Sequence, residues 1–89
     1  MNISIEYCSM WNYLPKASSL EVELKNNFPQ ADISLISSGG GVFEISLNGN
    51  LIFSKKALNR FPEDGEIKKL VIDRQNSMDY NQYYPWSGL

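Results

Sequence analysis

Histidine is absent from this sequence, and cysteine occurs once, at position 8. A hydrolase triad would lack its base, and one thiol without an imidazole leaves the usual zinc sets incomplete. A disulfide within the chain is excluded. No apolar run approaches the roughly 20 residues of a membrane-spanning helix. The opening MNISIEY has neither the basic nor the apolar region of a signal peptide. A cytoplasmic protein without a membrane partner is therefore expected. Neither sign of charge dominates, with 8 Lys and Arg against 10 Asp and Glu. The pairs Lys55-Lys56 and Lys68-Lys69 are too short for a phosphate-binding footprint, so no nucleic-acid partner is expected. Gly39-Gly40-Gly41 lacks the lysine and helix start of a phosphate loop. The acidic pair Glu63-Asp64, beside Gly65, reads as a helix cap rather than as acid/base machinery.

The 89 residues suffice for one domain, which hides about 60 to 65% of the surface its unfolded chain exposes. Met1 to Tyr7 alternates, with Ile3, Ile5 and Tyr7 opposite Asn2, Ser4 and Glu6, the period of a half-buried strand. From Pro15 to Phe28 the period lengthens, and Ala17, Leu20, Leu24 and Phe28 share one face of a helix from which Val22 departs. Two start signals compete, Pro15 at a first helical position and Ser18 with Glu21 at capping-box spacing. Pro29 ends the helix by forcing Phe28 out of helical angles.

Ala31 to Ser37 reads as a second strand, and Ser37 to Gly41 as a loop. Val42 to Leu47 and Leu51 to Lys55 flank Asn48-Gly49, a pair suited to the positive φ angles of a tight hairpin. A last helix is expected from Glu66 to about Asn76, with Asp64 as cap and Ile67, Leu70, Val71 and Arg74 on its buried stripe. A strand, helix, strand unit favours a parallel pair, whereas the hairpin is antiparallel, so the sheet is mixed. Alternation in three strands implies one covered face, with both helices on it. The expected fold is an α/β two-layer sandwich of order β-α-β-β-β-α. Leu51-Ile52-Phe53 breaks the alternation and suggests a partner surface or a contact with the tail. Residues 1–78 form the expected domain, and Asp79 to Leu89, DYNQYYPWSGL, an aromatic tail without periodicity.

Three blocks then resemble one family. IEYCSMWNY at Ile5 to Tyr13 is similar to the Tyr-Cys-x-x-(Cys or selenocysteine)-x-Tyr loop of the selenoprotein W, or Rdx, group of thioredoxin-like proteins. NNFPQADI at Asn26 to Ile33 and the hairpin GVFEISLNGNLIFSKK at Gly41 to Lys56 extend the resemblance over roughly Asn2 to Asn76. The hairpin is the more specific block. The resemblance implies a thioredoxin-like sandwich, a mixed four-stranded sheet, and thiol redox or antioxidant chemistry linked to glutathione. It places Cys8 on the active loop, beside Ser9, Met10 and Tyr13 as binding residues.

Trp11 stands where the family has its second cysteine or selenocysteine, so a dithiol cycle is impossible with the chain as written. Cys8 is the one candidate redox thiol. A helix N-terminus directed at such a thiol favours the thiolate. Without a resolving thiol, its product would be a mixed disulfide with glutathione or a protein, or a sulfenic acid. The plain alternative is a small buried hydrophobe. Trp11 has three readings: a lid over Cys8, part of an exposed patch with Met10, Tyr13 and Trp86, or a UGA selenocysteine codon decoded as tryptophan. No resident cofactor is expected, with glutathione as co-substrate and selenocysteine a candidate native residue at position 11. The competing function is a redox-inactive protein-binding module that uses the Met10 to Tyr13 loop or the open sheet face.

Overall fold

The structure, a computed structural model, describes residues 1–83, with side chains through residue 76. Strand β1 (Asn2–Cys8), helix α1 (Leu14–Asn27), strands β2 (Asp32–Ser38), β3 (Phe43–Leu47) and β4 (Asn50–Ser54), helix α2 (Lys55–Leu58) and helix α3 (Glu66–Tyr83) follow in chain order. The sheet order is β2-β1-β3-β4, with β1 and β2 parallel and the other two pairs antiparallel. The mixed four-stranded sheet and the single helical layer agree with the sequence reading. Ile3, Ile5, Phe43, Ile45 and Phe53 form one core with Ala17 and Leu24 of α1 and with Ile67 and Val71 of α3. Both long helices therefore cover the same face.

Several boundaries differ from expectation for local reasons. α1 begins at Leu14 behind Tyr13, which makes no side-chain capping bond, and Pro15 occupies the first turn. The Ser18 and Glu21 spacing lies inside the helix. Pro15 prevails because the first-turn N–H it lacks needs no partner there. Asn48 and Gly49 take φ of 52° and 84°, as the hairpin requires. A bulge between Ile45 and Ser46 pairs Phe53 with Ile45 and Leu51 with Ser46. Ile52 is the extra residue. The apolar triplet thus divides three ways: Phe53 into the core, Leu51 out to solvent, and Ile52 partly buried against the core.

Helix α2 escapes the sequence reading because four residues carry no period. Its ends do carry signals, since Ser54 Oγ accepts from Ala57 N–H at 3.0 Å and Asn59 closes it at φ 60°. α3 runs on to Tyr83, so Asp79 to Tyr83 is helical rather than irregular. Once a helix is nucleated, each added residue gains a hydrogen bond at little cost, and an apolar stripe is not required. The rest of the expected tail, with Trp86, lies outside the described residues. Among those described, no helix is long and apolar enough to cross a membrane.

The start of α3 is organised by Glu66 and not by Asp64. Glu66 Oε1 accepts from Glu63 N–H at 2.9 Å and from Arg60 Nη1 at 2.7 Å, while Oε2 accepts from Arg60 Nη2 at 2.8 Å. These bonds, the guanidinium first, lower the Glu66 carboxyl from 4.5 to about 2. A carboxyl lowered on folding stabilises the native state fully above its unfolded value and loses that contribution as pH falls through the folded one. Stability should therefore decline between pH 4.5 and about 2. Glu66→Gln should flatten this part of the urea-midpoint profile, modestly because the pair is solvent-screened. Identical acid profiles for the two proteins would contradict the assignment.

Candidate functional site

β1 ends on Cys8 where two loops meet. Cys8 N–H donates to Val42 O at 2.9 Å and Ser9 N–H to Ser38 O at 3.0 Å, tying the strand end to both sides of the glycine loop. Tyr13 N–H returns to Cys8 O at 3.2 Å, and Asn12, at φ 60°, makes the left-handed step that lets the chain enter α1. Cys8 is 0% exposed, buried at the very end of the strand. Strand alternation gives it the side of Asn2, Ser4 and Glu6, opposite the core.

The other expected site residues separate. Ser9 is exposed, and its Oγ donates to Ser38 O at 3.3 Å. Met10 is 85% exposed. Tyr13 faces inward instead of joining a surface patch, with its ring edge-to-face on Phe61 at 4.8 Å. Phe61 in turn meets buried Phe43 at 5.3 Å. Lys16 Nζ lies 4.7 Å and Lys55 Nζ 5.3 Å from the Phe61 ring, so two cations flank this aromatic column. Lys55 also donates to Gly41 O at 3.4 Å.

Trp11 divides its surface between the glycine loop and solvent. Its indole is 63% exposed, but one side lies on Gly41, whose added Cβ would stand 2.7 Å from Trp11 Cζ3. The ring also meets Tyr13 edge-to-face at 6.2 Å. Trp11 thus joins the loop carrying Cys8 to the loop beside it while keeping most of its surface in water.

Gly41, Lys55 and Phe61 were not singled out as site residues by sequence reasoning. Gly41 had a visible signal, as one of three consecutive glycines. Its need is double, since it has φ +70° and carries the indole. Gly40 has φ +69° with nothing within 4 Å of an added Cβ. Gly40→Ala should thus lose only about 1–2 kcal/mol of backbone preference. Gly41→Ala should lose more in urea unfolding, and the excess should vanish in a Trp11→Ala background. An excess that persists without the indole would show that the contact is not its cause.

The Rdx family model matches residues 2–73, from β1 into α3. A selenoprotein W-related protein from Vibrio cholerae superposes with a TM-score of 0.76 at 34% identity, over 81% of this chain and 92% of that one. A protein from Bordetella parapertussis gives 0.78 at 31% identity, over 82% and 95%. Migration and invasion enhancer 1 of Mus musculus is 30% identical over 76 residues, and its Bos taurus counterpart 31%. These alignments cover 85% of this chain and 66% of each relative, so the chain spans just under two thirds of those relatives' length. The match covers the strand, loop and hairpin that build the Cys8 site, and the chain belongs to the Rdx family.

Proposed function

We propose that this protein is a single-thiol redox protein of thioredoxin-like fold, whose Cys8 is closed at rest and exchanges with glutathione or protein disulfides when the Trp11 loop opens. The observation that carries the reading is a fully buried thiol at the strand end where two loops meet, one of them bearing a mostly exposed indole seated on Gly41 of the other. A core cysteine would need global unfolding to react. A loop-covered one needs only local opening, which costs less free energy.

In the open state the Cys8 thiolate attacks one sulfur of a disulfide. The new Cys8–sulfur bond forms as the old sulfur–sulfur bond breaks, and the second sulfur departs as a thiolate. A second thiol, supplied by glutathione or a protein, then attacks the adduct and restores Cys8. Trp11 supplies no thiol, so resolution is intermolecular. Met10 and Trp11 form the surface through which a protein partner promotes the opening, because exposed Met and Trp suit interface cores. The proposed setting is the cytoplasm, where glutathione is abundant.

The codon at position 11 decides between tryptophan and selenocysteine as the native residue. A UGG codon in the source gene keeps tryptophan, and a UGA codon replaces Trp11 by selenocysteine and restores a two-site mechanism. Complete burial of the thiol favours a second reading, a binding module without chemistry. Intact mass after incubation with oxidised glutathione separates the two. The redox reading expects one glutathione adduct, absent in Cys8→Ser and removed by reduced glutathione. A folded protein that never acquires the adduct leaves the binding module.

A further inference from the structure

We propose that two copies of this chain associate through the outer edge of β2, joining their sheets about a two-fold axis near Leu35. β2 is an edge strand, and among the described residues no strand pairs with its outer side. Asp32 N–H donates to Met1 O, and Ser38 O accepts from Ser9 N–H. The even-numbered residues of β2 therefore direct their backbone groups at β1. Ile33, Leu35 and Ser37 consequently present theirs outward, an unused row of donors and acceptors.

The two edges of the sheet are not equivalent. β4 is bulged, five residues long, and followed at once by Lys55 and Lys56. β2 is seven residues in unbroken register with β1, and its sequence DISLISS has one charge and no proline or lysine. The common protections against edge pairing are missing from it. An antiparallel partner centred on Leu35 sets Leu35 against the partner's Leu35, Ser34 against the partner's Ile36, and Asp32 against the partner's Ser38. No like charges meet, and Ile36, exposed on the open face, gains a cross-strand neighbour.

The helical layer fits the same axis. α1 packs on β1 and β2 together. With strands about 4.8 Å apart, two such helices across a shared β2 edge lie about 10 Å apart, the upper end of ordinary helix packing distance. The side of α1 toward β2 is marked by Lys25, whose Nζ donates to Ala31 O at 2.9 Å. Helical spacing puts Ser18, Glu21 and Val22 near that side. Val22, 58% exposed and off the core stripe, then faces the second helix. Glu21 and Lys25 are opposite charges that an antiparallel helix pair brings together.

Sedimentation of the full chain at about 100 μM, a concentration that populates micromolar interfaces, tests the proposal. The wild type should sediment with twice the mass of one chain. Ser37→Pro removes an outward N–H and no bond to β1, so it should return the protein to a monomer with native circular dichroism. Val22→Glu sets like charges together across the helix pair and should weaken association at least tenfold without touching the sheet. If Ser37→Pro unfolds, Val22→Glu decides. A monomeric wild type overturns the proposal, as does a dimer that survives in folded Ser37→Pro or, where that variant unfolds, in Val22→Glu.

Discussion

Trp11→Ala is expected to raise the rate at which Cys8 is alkylated in the folded protein by about tenfold, with a matching loss of about 1.4 kcal/mol in global stability. On the proposed gating, reagent reaches the sulfur after the Trp11 loop lifts, and that lift breaks the indole contacts with Gly41 and Tyr13. An aromatic contact of this kind contributes about 0.5–1.5 kcal/mol beyond area burial. Removing about 1.4 kcal/mol from the closed state makes opening tenfold more frequent. Global stability should fall by that amount and little more, because the unfolded chain also lacks these contacts and most of the indole is already in water. Alkylation followed by mass spectrometry in the absence of denaturant gives the rates. Equal rates for Trp11→Ala and wild type would remove Trp11 as the gate.

Phe43→Ala should have the largest effect on stability, a loss of about 3–5 kcal/mol in urea unfolding. Phe43 is fully buried, and its ring continues the column through Phe61 to Tyr13. Truncation opens a cavity under the residue that precedes α1. For a domain of this size the loss is a large part of the total stability. Leu51→Ala, at an exposed position on the open face, should stay within about 0.5 kcal/mol of wild type. Similar midpoints for the two variants would show that the column does not hold the core to the site. Phe43→Ala should also speed alkylation of Cys8, but through global unfolding, so its rate should follow urea with the full unfolding slope.

What the sequence disclosed and what it hid follow from the range of each interaction. The alternation of Ile3 and Ile5, and the Asn48-Gly49 turn, are properties of a few neighbouring residues. They were readable directly. The division of Leu51, Ile52 and Phe53 was not, because a bulge is a relation between two strands. The start of α1 was ambiguous because two valid local signals lay within one turn, and only the docked helix shows which is used. Cys8 could be placed at a strand end, but the loop that Cys8 and Ser9 bond to, through Val42 O and Ser38 O, lies about 30 residues away. The same separation hid the indole's seat on Gly41. One of the three readings of Trp11 set Tyr13 in an exposed patch. The inward turn of Tyr13 depends on Phe61, from a segment with no period of its own.

The proposed local opening over Cys8 is read from the urea dependence of wild-type Cys8 alkylation. Opening the Met10 to Tyr13 loop exposes little surface, so the rate at low urea should be nearly independent of denaturant and should rise steeply only near the global transition. A rate that climbs with the full unfolding slope from the lowest urea would mean that Cys8 reacts only in the unfolded chain, with no local opening.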